Sequence, residues 1–239
     1  AERCVVDMCS SSPVCVLHPA AFFIAWNGVL TLCYSGFPPS LVAIKEALNR
    51  PEAMLPKESF GSMWPKTTLG ALHDDAPLFS LAEIERLQGL CRQLAERLTG
   101  MALRIKTVSV VHYHARGQES AHNSKWCSPG CSRNDVPLSS TPSDDKPGGE
   151  QLRLVEGVLS EWDDLQQYLG RVNAPGSRIS TYRKDSPSGS SVVAFIAETA
   201  PADLLGVLRS FREAVDTELP GRYSWLDEES LHCTLRSLA

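Results

Sequence analysis

Apolar and polar residues alternate along two short segments that lie far apart in this chain. Residues 65–72 read PKTTLGAL and residues 231–238 read LHCTLRSL. Alternation with a period of two is typical of a β-strand that buries one face. On such a strand, a basic residue and the threonine two positions later point to the same side. The residues placed in this way are Lys66 and Thr68 in the first segment, and His232 and Thr234 in the second.

The same order of elements precedes each of these two segments. An apolar strand at residues 29–34 and a helix at 41–49 come before the first, and a strand at 192–197 and a helix at 201–219 come before the second. A supersecondary unit that occurs twice indicates a duplicated architecture. We therefore predict an α+β fold with two pseudo-symmetric strand-helix-strand lobes and a central antiparallel-sheet cleft.

Other local signals predict the remaining elements. Residues 81–99 show helical spacing of apolar side chains, and Ser80 with Glu83 forms a capping-box pattern at its start. Asn27 and Gly28 separate two apolar runs, which predicts a tight hairpin. Further strands are predicted at residues 103–114, 152–158 and 179–183, and a further helix at 162–169.

Changes in composition divide the chain into four parts. Residues 1–20 form a polar N-terminal leader with exposed cysteines, and residues 21–114 form the first lobe. Residues 115–150 contain almost no aliphatic side chains, which predicts a long flexible or metal-binding loop. Residues 151–239 form the second lobe.

The overall charge and composition exclude several classes of protein. A formal net charge of −5 argues against a protein that coats duplex nucleic acid, so contact with RNA would be confined to a local basic cleft. Residues 10–44 lack Asp, Glu, Lys and Arg, but prolines and the Asn-Gly turn interrupt this run before the ~20 apolar residues of a membrane span. Eight irregularly spaced cysteines predict an intracellular, cytoplasmic location, and no membrane partner is expected.

The second segment resembles the motif of a known enzyme superfamily. The sequence His232-Cys233-Thr234-Leu235 is similar to the His-x-Thr strand of two-histidine phosphoesterases, which include RNA 2′,3′-cyclic phosphodiesterases and RNA-ligase-like relatives. The resemblance implies that one imidazole accepts a proton, a second donates one, and two hydroxyl groups hold the phosphate oxygens. Lys66 stands where the first histidine belongs. An ammonium group binds phosphate well but is a poor base unless it is desolvated.

This resemblance assigns roles to four residues and implies a phosphate-bearing RNA or nucleotide terminus as ligand. His232 and Lys66 would be catalytic, and Thr68 and Thr234 would bind the substrate. Position in the sequence adds two further candidates for substrate binding. Trp64, just before the first motif, would stack on a base, and Arg236, which alternation places on the face of His232, would add a positive charge. The chain would then hydrolyse a cyclic phosphate or, as an alternative, bind it without catalysis. His73 is an alternative proton carrier, and an ordinary structural role remains open for each of these side chains. No cofactor is required.

A second group of residues suggests a structural zinc ion. His112 and His114 form a His-x-His pair at a strand end, and Cys127 and Cys131 flank a Ser-Pro-Gly turn. Together with His122 they would supply the nitrogen and sulfur ligands of a tetrahedral site. The alternatives are a disulfide between the two cysteines and a plain mobile loop. With zinc, the chain would be a zinc-stabilised protein-interaction domain.

Overall fold

Strands and helices alternate along the chain in the computed structural model, which describes residues 2–119, 131–142, 146–184 and 189–238. The seven helices in these ranges are α1 (Glu2–Ser11), α2 (Pro39–Leu48), α3 (Leu81–Ala95), α4 (Gly149–Leu159), α5 (Leu165–Val172), α6 (Ile179–Arg183) and α7 (Ala202–Glu218). The strands are β1 (Pro13–Leu17), β2 (Pro19–Ile24), β3 (Leu30–Tyr34), β4 (Lys66–Leu72), β5 (Leu103–Ile105), β6 (Thr107–Tyr113), β7 (Ser132–Pro137), β8 (Ser139–Pro142), β9 (Gly189–Phe195), β10 (Tyr223–Trp225) and β11 (His232–Ser237).

Eight of these strands form the main sheet. Seven follow the order β2-β3-β4-β11-β9-β6-β7, and β10 pairs with the far end of β4. All of these neighbours are antiparallel. A smaller sheet has the order β5-β1-β8. The α+β class with a central antiparallel sheet is therefore confirmed, and the two motif strands are neighbours in the middle of the main sheet.

Helices α3 and α7 cover one face of the main sheet. Their apolar residues are buried, and the ring of Phe211 on α7 stacks on that of Phe22 on β2 with centroids 4.0 Å apart. Burying a large apolar side chain stabilises a fold by about 1.5–3 kcal/mol, so this layer anchors the sheet. None of the helices in the described ranges combines the length and the apolar character needed to cross a bilayer.

The hairpin at Asn27 and Gly28 is confirmed. Strands β2 and β3 pair antiparallel, and both turn residues have positive φ, 64° and 75°. A side chain at Gly28 would also meet Leu72, because an added Cβ would lie 2.7 Å from its Cδ1 atom. Asn27 tolerates the left-handed conformation better than most residues, and its side-chain amide donates to the carbonyl of Ala174 at 3.0 Å.

Local signals identified four helices and misread two as strands. Helices α2, α3 and α7 agree with the sequence pattern, and Ser80 and Glu83 make both hydrogen bonds of the capping box. The helix predicted at 162–169 forms three residues later, as α5. The strands predicted at 152–158 and 179–183 are wrong, because these segments form α4 and α6. Val155 and Val158, the buried residues of α4, are three positions apart, which is helical spacing, but so short an apolar run does not distinguish helix from strand.

The segments predicted as leader and loop contribute to both sheets. Cys9 on α1 and Cys15 on β1 are fully buried, so the expectation of exposed leader cysteines is wrong for these two. Residues 132–142, interpreted as loop, form β7 and β8. Strand β7 is the edge of the main sheet, where polar side chains reach solvent, and this explains why its composition resembled a loop. The strand predicted at 103–114 is divided at Lys106 between the two sheets.

Candidate functional site

The pairing of β4 with β11 collects the four motif residues on one face of the sheet. Cys233 lies opposite Thr67, and both are fully buried toward the helical layer. Their neighbours on each strand point the other way, and all four are half-buried. The antiparallel register places Lys66 opposite Thr234 and Thr68 opposite His232, at the ~4.5–5.5 Å that separates facing Cβ atoms. We call Lys66, Thr68, His232 and Thr234 the quartet.

Buried polar contacts hold the two strands from behind. The hydroxyl of Tyr34 is hydrogen-bonded to that of Thr67 at 2.9 Å, and burial raises the pKa of Tyr34. The ammonium of Lys45 on α2 donates to the carbonyl oxygen of Leu235 on β11 and to the carboxylate of Glu58. Since breaking one partner of a buried ion pair is costly, these contacts make the register rigid.

Lys66 lies in an environment that lowers the pKa of its amine. Its Nζ atom donates to the carbonyl of Gly61 and lies 4.0 Å from the centroid of the Trp64 ring. Burial lowers the pKa of Lys66 to about 8, although the thiols of Cys33 and Cys233 act in the opposite direction. The desolvation that a proton-exchanging lysine requires is therefore present, and the amine carries its proton at pH 7 but loses it readily above pH 8.

Replacing Lys66 with Met is expected to stabilise the fold at pH 7. The pKa is about 8 in the folded chain against a reference of 10.5, so the unfolded chain binds more protons between these values and stability rises with pH there. Below pH 8 the full cost of the buried charge applies. Thermal unfolding should show a gain of at least ~2–4 °C, the shift that ~1 kcal/mol produces in a chain of this size.

The increase in unfolding temperature caused by Lys66→Met should be smaller at pH 10, because Lys66 is then largely uncharged in the folded wild-type chain. The exposed Lys57 provides the control, because Lys57→Met should leave the unfolding temperature unchanged at both pH values. A lower unfolding temperature for Lys66→Met at pH 7 would mean that the contacts with Gly61 and Trp64 outweigh the desolvation of the charge.

The ring of His232 is held in one orientation. Its Nδ1 atom lies 2.7 Å from the carbonyl oxygen of Ser230, in the turn that precedes β11. A carbonyl only accepts hydrogen bonds, so Nδ1 carries the proton in the neutral ring and Nε2 is the basic nitrogen. The ring also meets Phe195 edge-on, with centroids 5.9 Å apart. The hydrogen bond to the Ser230 carbonyl sets the tautomer of the neutral ring.

A cavity of about 230 Å³ opens beside Lys66 and Thr68. Tyr182 on α6 also lines it, and burial raises the pKa of its hydroxyl, although Arg116 and the side chains of Ser177 and Thr68 act in the opposite direction. Arg116 adds positive charge, which lowers the pKa of Lys66 further. Five aromatic residues line the cavity, namely Phe23, Trp26, Phe60, Trp64 and Tyr182.

Sequence reasoning missed most of this cavity. Tyr182 falls in a segment misread as a strand, and no motif marks Trp26 or Phe60. Tertiary packing alone brings these three residues, from three separate parts of the chain, to the two positions of β4 that the motif did identify.

Two of the predicted substrate-binding residues, Trp64 and Arg236, are buried and in contact with other parts of the protein. Trp64 lines the cavity, but it is buried and its ring is in contact with the ammonium of Lys66. Arg236 is only 1% exposed; its guanidinium donates to Asn49 Oδ1 at 2.8 Å and to the carbonyls of Pro56 and Ser237. The register shifts between Thr234 and Arg236, which breaks the alternation that placed Arg236 with His232. The structure does not bring Arg236 to the cavity.

The proposed zinc ligands fall partly outside the described residues, where His122 and Cys127 lie. On β6, the register places His112 on the opposite face of the sheet from the quartet. His114 follows β6 and Cys131 precedes β7. Within the described ranges, no three or more His, Cys, Asp or Glu side chains are arranged to hold a metal ion. The zinc site and the alternative disulfide stay predictions.

The site thus combines an oriented imidazole, a desolvated amine and two threonine hydroxyls with an adjoining aromatic cavity. These groups can bind an anion and exchange protons with it near neutral pH. No family model, curated protein or solved structure matches this chain.

Proposed function

We propose that this protein binds the phosphate of a nucleotide or RNA terminus at the quartet and hydrolyses a 2′,3′-cyclic phosphate there. The observation that carries the proposal is the register of β4 and β11, which places an imidazole and an amine on one face with a threonine opposite each. Developing negative charge on a phosphate is stabilised best by groups already oriented toward it. The rigid centre of a sheet provides such orientation.

The order of the central strands supports a two-lobed, pseudo-symmetric arrangement. An antiparallel pair has a local twofold axis, which here relates Lys66 to His232 and Thr68 to Thr234. The neighbours continue the relation, because β3 lies beside β4 and β9 lies beside β11. A helix follows each outer strand in the chain, α2 after β3 and α7 after β9. We interpret these as the two lobes that meet at the quartet.

In the proposed reaction, water attacks phosphorus and the bond from phosphorus to a ribose oxygen breaks. Nε2 of neutral His232 accepts a proton from the attacking water. The ammonium of Lys66 stabilises the charge on the phosphate and donates its proton to the departing ribose oxygen. The hydroxyls of Thr68 and Thr234 donate to the phosphate oxygens. The product is a phosphomonoester, after which His232 loses a proton to solvent and Lys66 gains one.

The lowered pKa of Lys66 suits it to the role of proton donor. General acids work best when their pKa lies near the operating pH, and burial lowers the pKa of Lys66 to about 8. An ordinary exposed lysine, with a pKa around 10.4, would release its proton too reluctantly.

A second candidate is a phosphate-binding or RNA-binding module without catalysis. It is favoured by the contacts of Lys66, whose ammonium already donates to the Gly61 carbonyl and lies against the Trp64 ring. An amine held in this way binds an anion without needing to transfer its proton. The two candidates predict the same ligand and differ only in turnover.

An RNA oligonucleotide that ends in a 2′,3′-cyclic phosphate tests both candidates. We expect the protein to convert this end to a phosphomonoester, which phosphorus NMR distinguishes as the 2′ or the 3′ product. The same oligonucleotide with a 3′-hydroxyl end is the control and should bind more weakly, because it lacks the terminal phosphate. Tight binding without turnover would identify the binding module. Equal, weak binding of both ends without turnover would contradict both candidates.

A further inference from the structure

The aromatic cavity has the size of a ring system rather than of an ion. Its volume is about 230 Å³, which corresponds to roughly eight water molecules at ~30 Å³ each. It is smaller than the ~300–1,000 Å³ cavities that enclose drug-sized ligands. Because Lys66 and Thr68 line it too, a ligand whose phosphate lies at the quartet would extend its remaining part into this cavity.

Trp26 and Phe60 expose aromatic surface beside the quartet. They are 48% and 54% exposed, although both line the cavity. Trp26 is held in place, because its Nε1 atom donates to Glu161 Oε2 at 2.7 Å and the guanidinium of Arg171 lies 5.1 Å from its ring centroid. Bases stack on aromatic side chains whatever their identity, because every base has an aromatic face. The ring of Trp64, by contrast, is already in contact with Lys66.

Glu161 places a carboxylate in the wall of this cavity. Its Oε2 atom accepts hydrogen bonds from Trp26 Nε1 at 2.7 Å and from Arg171 at 2.8 Å. Within the described part of the chain, no hydrogen bond reaches its other oxygen, Oε1. The side chain is 23% exposed, so it is oriented but still reachable. An ionised carboxylate only accepts hydrogen bonds, so its ligand must donate.

We propose, on the basis of the proposed function, that the cavity is a base-binding subsite selective for guanine. Among the four RNA bases, guanine alone has two adjacent donors on its Watson–Crick edge, the ring N1–H and the exocyclic amine. Adenine and cytosine also carry an amine, but the neighbouring ring nitrogen has a lone pair that a carboxylate repels. Uracil has one N–H between two carbonyl oxygens. The Oε1 atom of Glu161 thus favours guanine, while Trp26 and Phe60 supply stacking surface.

Calorimetric titration with nucleosides separates this subsite from the phosphate site. The wild-type protein should bind guanosine at least tenfold more tightly than adenosine, cytidine or uridine. Glu161→Gln should abolish the preference, because the amide presents a donor as well as an acceptor. The exposed Glu156 on α4 is the matched control, and Glu156→Gln should leave the preference unchanged.

A second variant tests the stacking surface independently of Glu161. Phe60→Ser should lower the affinity for all four nucleosides by about the same factor and keep the preference for guanosine. Leu78 is similarly exposed, at 64%, and Leu78→Ser should have no effect. If the wild-type protein binds the four nucleosides with equal affinity, or binds none, the subsite is not guanine-selective and the proposal is wrong.

The outcomes for the subsite and for the proposed function are distinguishable. Turnover of cyclic-phosphate RNA irrespective of the terminal base would retain the proposed function and overturn the guanine subsite. A Glu161-dependent preference for guanosine, without turnover or tighter binding of guanosine 2′,3′-cyclic phosphate, would retain the subsite and overturn the proposed function.

Discussion

His232→Ala is expected to lower the rate of cyclic-phosphate hydrolysis by about 10²–10⁴-fold, the contribution of a general acid–base group. The Ser230 carbonyl holds Nδ1, so the variant removes a base that is already in the required tautomer. Single-turnover kinetics with saturating substrate would measure the loss. Binding of the product phosphomonoester should change much less, because Lys66, Thr68 and Thr234 remain.

His73→Ala is the matched control for the loss of an imidazole. His73 follows the last residue of β4, seven positions beyond Lys66, which is roughly 23 Å at ~3.3 Å per strand residue. Its backbone N–H donates to the Arg222 carbonyl, an interaction that the substitution retains. Full activity of His73→Ala beside a loss in His232→Ala would exclude His73 as the alternative proton carrier. The reverse result would overturn the role of His232.

Substitutions of Lys66 should distinguish the effect of its positive charge on phosphate binding from the effect of proton donation on the rate. Burial lowers the pKa of this amine to about 8, and the mechanism needs the protonated form. The wild-type rate is therefore expected to fall as the pH rises through about 8. Lys66→Arg keeps the positive charge, but a guanidinium does not release its proton in this range. We expect this variant to bind the phosphomonoester product normally, to react about 10²-fold or more slowly, and to show no alkaline loss near pH 8.

Lys66→His also tests the role of Lys66 as proton donor, but it lowers the pKa of the group at position 66, whereas Lys66→Arg raises it. An imidazole has an ordinary pKa of about 6.5, so the alkaline loss of activity should move toward that value. The variant also restores two histidines on the two strands. Measured rates between pH 5 and 10, with Lys106→Arg as an exposed control, would show the shift. If Lys66→Arg keeps the wild-type rate and pH profile, Lys66 acts only as a phosphate-binding cation.

Local sequence signals determined the elements that carry the quartet. Alternation identified β4 and β11, positive φ at Asn27 and Gly28 followed from an Asn-Gly pair, and the capping box at Ser80 marked the start of α3. Each of these depends on neighbours within a few residues. A period of two also identified which side chains of the motif share a face, because alternation follows from strand geometry alone.

Signals of this kind failed where the chain departs from regular geometry or where apolar runs are short. After a register shift that follows Thr234, Arg236 contacts Asn49 and Pro56. No residue type in the sequence indicates that shift. Helix α6 has only five residues, and the buried apolar residues of α4 are limited to Val155 and Val158, so periodicity did not distinguish either segment from a strand.

By itself, then, the sequence determined which side chains of the two motif segments share a strand face, and it suggested phosphate as their ligand. Only the tertiary structure decided that the two strands are neighbours, that burial lowers the pKa of Lys66 to about 8, and that Trp26, Phe60 and Glu161 line a cavity beside it. The physical reason is that pairing, desolvation and cavity shape depend on residues distant in the chain. No local pattern records which distant residues will meet.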